Sequence, residues 1–127
     1  RLYNWYAITD TRGLAPEGWH VATKSEFNTV IDFLGKGESA AKKMKTKSGW
    51  GDRYGYKGNG NNKSGFTALP GGYRNIVGEF YDSGFYGYWW STSPEWTGGA
   101  TSFVLTHNAS TSDFKKACGF SVRCVKD

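Results

Sequence analysis

Cysteine, histidine and proline are scarce in this chain of 127 residues, with two, two and three copies respectively. Long apolar runs are missing as well. The longest is the four-residue stretch Trp5 to Ile8, against the ~20 residues that a spanning helix requires, so no membrane span lies in this segment. With only His20 and His107 there is little material for general acid–base chemistry. No G-x-S-x-G elbow, H-E-x-x-H, Walker or dinucleotide glycine pattern occurs. His20, beside Trp19, reads as a hydrogen-bonded structural residue, and His107 as an exposed residue at a strand end. Carboxylates for glycoside hydrolysis exist in Glu79, Asp82, Glu95 and Asp113, but no spacing singles out a pair. Asp52, Asp82 and Asp113 offer hard oxygen ligands without an EF-hand pattern. The reading is therefore a chain with no catalytic residues, no metal ligands and no cofactor.

The two cysteines are Cys118 and Cys124. If one extended strand joined them, six steps of ~3.3 Å would hold them about 20 Å apart, whereas a bridge needs Cα atoms within ~7 Å. A disulfide thus requires a sharp reversal near Gly119; otherwise the two are separate buried thiols, or one is exposed. C-x5-C without a second Cys or His pair does not match zinc-site spacing.

Aromatic residues, by contrast, make up 17% of the chain, and glycine supplies 18 residues, about twice its usual ~7% share. Bulky side chains at this density offset the entropy of ordering, so the chain folds, with many turns. Its length fits one domain spanning 1–127. The first residue is Arg, with no charged-then-apolar leader behind it, which reads as a piece excised from a longer precursor. The net charge of +5 is concentrated: Lys42, Lys43, Lys45, Lys47, Arg53, Lys57 and Lys63 face only Asp52 between positions 42 and 63. A patch over Lys42–Lys63 attracts phosphate or an acidic polymer through its field. Only one of the seven is Arg, the residue suited to bidentate contacts, so a solvated lysine face is the plainer reading and nucleic acid is disfavoured.

Local patterns place the elements. Residues 2–8 (LYNWYAI) favour a strand, followed by turn chemistry over Thr9–Gly13. Thr23 three residues before Glu26 has capping-box spacing, and Phe27, Val30, Ile31 and Leu34 then recur on one helical face. This predicts a helix from about 24 to 34, ended by Gly35 and Gly37. A shorter helix over 39–46 would turn Ala40, Ala41 and Met44 inward and its lysines outward. Ser48 to Ser64 is a long Gly- and Asn-rich loop, anchored by Trp50. Beyond it come LPGGYRN (69–75), GEFYDSG (78–84) and GYWWSTSPEW (87–96), then strand candidates at 101–106, 113–116 and 119–125, so the second half reads as short strands and turns. Helices confined to the first half make the class α+β.

Between positions 91 and 113, Thr, Ser, Asn and Gly surround aromatic residues, the mixture of rigid anchors and adaptable hydrogen-bonding groups that recognition surfaces favour. The candidate ligand contacts are Trp96, Phe103, Thr106, His107, Asp113, Phe114 and Lys115. The plain alternative is that Phe103 or Phe114 points into the core.

LYNWYA (2–7), GLAPEGWHVAT (13–23), SGW (48–50), SGFTALPGGYRN (64–75), GYWWSTS (87–93) and GFSVRCVKD (119–127) together resemble the Fibrobacter succinogenes major paralogous domain. The likeness covers nearly the whole chain, in the family's order. It implies a C-type lectin-like fold related to that of the formylglycine-generating enzyme, with two helices, a small mixed or antiparallel sheet and long loops. It also implies an exported or surface-anchored bacterial module, of the kind appended to lipoproteins or adhesins, whose partner is a protein or glycan.

Departures from the family bear on function. Ala15 stands where the family commonly has a Cys expected to pair with the one at Cys124, so that bridge, a cross-link of about 2–4 kcal/mol, is lost. The lectin calcium motifs are not reproduced by Pro94-Glu95-Trp96 or Trp50-Gly51-Asp52. Because Cys124 lies within the G-F-R-C-like ending, the enzymatic relatives' cysteine roles do not carry over, and an inactive enzyme relative is the remaining enzymatic alternative. Similar domains serve as variable proteins of diversity-generating retroelements, which randomise adenine-containing codons near the C-terminus. The recognisable motifs thin out between Ser93 and Ala117, which would place diversified contacts there. Cys118 fits such randomisation and Trp96 does not.

Overall fold

The computed structural model describes all 127 residues. The N-terminal segment departs from the expected strand. Tyr3 makes a single antiparallel bridge to Phe120, and Asn4 then caps a one-turn helix, α1 (Trp5–Ile8), by accepting from the Ala7 N–H at 2.9 Å. An Asn placed just before a helical turn satisfies one of the orphan amides, which outweighs the strand preference of the aromatics around it.

The capping box forms as its spacing predicts. Thr23 caps α2 (Lys24–Phe33) by accepting from the Glu26 N–H, and Glu26 Oε2 accepts in return from the Thr23 N–H at 2.8 Å. Gly35, at φ +96°, ends the helix with the paired bonds of a Schellman motif: its N–H donates to Asp32 O, and that of Lys36 to Ile31 O. Gly37 does not share in this stop. It opens α3 (Gly37–Met44), two residues earlier than its sequence pattern places it. Ala40, Ala41 and Met44 are buried as expected.

The Gly- and Asn-rich segment after α3 is held by Trp50. Its Nε1 donates to Thr46 Oγ1 and Ala68 O at 3.0 and 3.1 Å, while its backbone N–H donates to Asn59 Oδ1. Gly60 lies so close to the carbonyls of Lys42 and Lys45 that a Cβ would overlap them, which seats the loop on the end of α3.

All sheets are antiparallel. β1 (Trp19–Val21) pairs with β7 (Cys124–Lys126), and β2 (Tyr73–Arg74) with β3 (Phe80–Tyr81). β4 (Gly87–Trp96), β5 (Gly99–Leu105) and β6 (Ala109–Lys115) form the largest sheet in that order. The segment expected to be one strand over 119–125 is divided. Gly119 and Phe120 bridge Arg74 and Tyr3, Ser121 bridges Trp89 on the free edge of β4, and of the expected element only Cys124 and Val125 enter a strand, β7, which runs on to Lys126.

β5 is buried along its whole length. Phe103 and Leu105 face a core made with Phe27 and Ile31 of α2 and Ala40, Ala41 and Met44 of α3; Ala100 and Val104 face a second core containing Ile8, Val21, Tyr88, Trp90 and Phe120. The period-two alternation of a strand buried on both faces produces this division. The architecture is α+β, with helices only in the first half of the chain, and no helix is long and apolar enough to cross a membrane.

Candidate ligand-binding groove

The seven residues expected to contact a ligand separate into three places. Phe103 is excluded from any surface. It is fully buried, stacked on Phe27 with ring centroids 4.7 Å apart and packed on Phe66 and Trp89 at 5.9 and 5.5 Å. As the middle of the central strand it has no route to solvent, so the core reading of this residue is correct.

Trp96, Asp113, Phe114 and Lys115 converge. With Tyr73, Asn75 and Ile76 from the β2–β3 hairpin, and Cys118, they line an open and largely apolar groove of about 350 Å³. Strand register brings them together. Gly99 pairs with both Trp96 and Lys115, Ala100 with both Pro94 and Phe114, and Thr101 with Asp113. The β4–β5 ladder shifts register between Trp90 and Pro94 and again between Pro94 and Trp96. Pro94 has no N–H to donate, so the ladder breaks there and the end of β4 is re-aimed. The Trp96 indole, half exposed, lies over Gly99, where a Cβ would overlap the ring.

Phe114 forms the groove's inner wall. It packs edge-on against Tyr88 and Phe120 at 5.8 and 5.0 Å, within an aromatic cluster that also holds Tyr73. An anchor wedged this way keeps little rotamer freedom to lose on binding. Asp113 lies 3.0 Å from Thr101 Oγ1, but the single proton of that hydroxyl is shared with the nearer Glu95 Oε1 at 2.6 Å. Glu95 is in turn paired with Lys24 Nζ at 2.7 Å, and these two donors hold its carboxyl below the usual range. Lys115 is exposed and is the groove's free cation. The turn behind Trp96 is braced by Lys116, a buried lysine whose Nζ donates to Thr97 O at 3.0 Å and sits 4.3 Å over the Trp5 ring.

Thr106 and His107 lie elsewhere, at the β5–β6 turn. Thr106 Oγ1 accepts from the Asn108 N–H, and the imidazole of His107 stacks on Tyr56 at 4.0 Å and 11°. His107 is thus half-buried against the long loop, where an exposed residue was expected. Sequence reasoning missed Tyr73, Ile76 and Tyr56, which come from turn-rich segments without periodicity.

The two thiols are free, Cys118 buried and Cys124 half-buried, and burial raises the pKa of each. Cys118 reaches the groove as a protonated, weakly nucleophilic wall. Cys118 packs in the second core, and β5 is buried along its whole length.

Several cations of the basic segment are enclosed or already partnered. Lys45 is buried, Arg53 Nη1 pairs with Asp82 at 2.6 Å, Lys57 pairs with Asp52 at 2.8 Å, and Lys43 Nζ donates to Leu34 O. Expected as an outward lysine, Lys45 follows the last helical turn inward because the Trp50 loop closes over it. Two of the carboxylates considered for calcium are engaged by protein donors, Asp52 by Lys57 and the Gly58 N–H and Asp82 by Arg53 and Tyr88, while Asp113 shares the Thr101 hydroxyl with Glu95. No three His, Cys, Asp or Glu side chains cluster at metal-binding range.

Comparison with known proteins gives one match: the family model described as Fibrobacter succinogenes major domain covers residues 1–126. No curated protein and no solved structure matches the chain.

Proposed function

The chain belongs to the Fibrobacter succinogenes major domain family, and from that premise we propose that it is a non-enzymatic binding module, displayed outside the bacterial cell, whose ligand is a protein or a glycan. The observation that carries this reading is the convergence of Trp96, Phe114, Tyr73 and Lys115 on one open groove. Flat aromatic surfaces beside a single cation suit an apolar side chain or a sugar face, and a groove built from strand ends needs little ordering on binding. The fold is proposed to be C-type lectin-like. The pair of helices α2 and α3, the antiparallel three-stranded sheet and the long tethered loop between them support that assignment.

Use as a variable protein of a diversity-generating retroelement is part of the same proposal, narrowed by burial. Exchangeable positions would be drawn from the exposed ones, among them Thr97 and Gly98 in the turn and Ser110, Ser112, Asp113 and Lys115 on β6. A template repeat downstream of the gene, differing only at adenines, supports this; absence of both the repeat and a neighbouring reverse transcriptase overturns it.

The binding proposal is tested by probing glycan and protein arrays with the purified domain, with and without chelator. A ligand whose retention survives chelator and is lost on Trp96→Ala is the expected result. Turnover of the ligand, or binding indifferent to both Trp96→Ala and Lys115→Ala, overturns it.

A further inference from the structure

A second groove, sharing no lining residue with the first, opens between α3 and the loop that folds over it. It holds about 330 Å³, lined by Glu38, Lys42, Lys45, Tyr56, Lys57 and His107 among others, and it continues into a smaller cavity that shares the last four of these residues. Its central feature is Lys45. This side chain is only 4% exposed, its Nζ donates to Gly58 O at 3.2 Å, and it sits 4.6 Å from the centre of the Trp50 ring. A carbonyl and a π face are its partners, and no carboxylate lies within ion-pair distance. An ammonium has three protons to donate, and one buried without an anion is costly to keep. Burial lowers its pKa to about 8, so it still carries its charge at neutral pH.

The surrounding charges define what would complete it. Lys57 is neutralised by Asp52, and Arg53, on the wall of the smaller cavity, by Asp82. Lys42 and Lys45 remain against Glu38, which leaves one positive charge unmatched. Phosphate recognition draws on several donors or a guanidinium fork, and the one guanidinium here is already committed to Asp82. Tyr56 supplies a ring that is stacked on His107 and remains 45% exposed.

We propose that this groove is a binding site for a small ligand carrying a single carboxylate, which Lys45 Nζ receives while a ring or apolar face of the ligand lies against Tyr56.

The test uses sodium glucuronate as the monocarboxylate ring probe, with glucose and glucose 6-phosphate beside it, on the full chain with isotopically labelled lysine. Saturable movement of the Lys45 side-chain resonance with glucuronate, and a rise in its titration midpoint, are expected in the unmutated protein. Lys45→Met should weaken glucuronate at least about tenfold, the loss of one charge-assisted hydrogen bond. His107→Ala, which removes the support behind Tyr56, should weaken it less, and Lys63→Ala should leave it unchanged. The proposal is overturned if glucose binds as well as glucuronate or if only glucose 6-phosphate binds. It also falls if the Lys45 resonance stays still, or if Lys63→Ala weakens binding as much as Lys45→Met.

Discussion

The indole of Trp96 lies over Gly99, its register partner across the β4–β5 turn, so closely that a side chain at position 99 would occupy the space of the ring. Gly99→Ala should therefore expel Trp96 from its place in the groove. Because Trp96 is half exposed, the expected cost in stability is small, about 1 kcal/mol or less, while affinity for any ligand found on arrays falls as far as in Trp96→Ala. A shift in tryptophan emission, read beside a binding isotherm, checks both parts.

Phe103→Ala removes a fully buried ring stacked on Phe27 and packed against Phe66 and Trp89. A loss of about 3–5 kcal/mol in unfolding free energy is expected from the transfer and cavity terms. Urea denaturation measures it. Where the variant remains folded, its affinity per folded molecule should match the parent, and a specific loss of binding at full stability would return Phe103 to the ligand surface.

His20 bridges the chain's end to α2. Nδ1 lies 2.6 Å from Asp127 Oδ1 and Nε2 lies 2.7 Å from Glu26 Oε1. Hydrogen bonds to Asp127 first, and to Glu26, raise its pKa above 6.5. A His with a raised folded pKa contributes stability that is fully present below 6.5 and is lost as pH rises through the higher folded value. Glu26, held below 4.5 by the Thr23 N–H and then by His20, contributes above 4.5 and loses its share as pH falls through its depressed value. The combined contribution is largest between the two unfolded values. Urea midpoints should show His20→Ala less stable than the parent at pH 5.5, with the gap narrowing at pH 9; a gap that is flat over this range would remove the linkage.

Cys118 and Cys124 are free, and burial raises both thiols. Iodoacetamide at pH 7.5 should label the native protein slowly and the urea-unfolded protein at both positions. Mass spectrometry under non-reducing conditions should show two free thiols. A native mass two daltons lower would mean a Cys118–Cys124 bridge.

Legibility in the sequence followed the range of the interactions. Thr23 and Glu26 announce α2 because both halves of the cap lie within four residues, and Ala40, Ala41 and Met44 announce the inner face of α3 by helical spacing. Residues 2–8 misled because aromatic content speaks for a strand, whereas Asn4 and the distant pairing of Tyr3 with Phe120 decided the outcome. Residues 119–125 misled for a related reason: their alternation is real, but three different partners use it. Four of the seven expected contacts reached one groove, since Trp96, Asp113, Phe114 and Lys115 sit at strand ends facing the same turn. Phe103 looked identical in composition and lies at the centre of the sheet.

By itself the sequence determined the α+β class, the capped helix, the anchoring of the long loop by Trp50 and the family, because these rest on local spacing or on motifs in a set order. Only the tertiary structure decided which aromatics reach solvent, that Lys45 is enclosed while Lys42 is not, and that His107 meets Tyr56 across the fold. Burial is a property of what arrives from elsewhere in the chain. A phenylalanine or lysine has the same local preferences inside and out, and the packing of distant segments alone assigns it to one or the other.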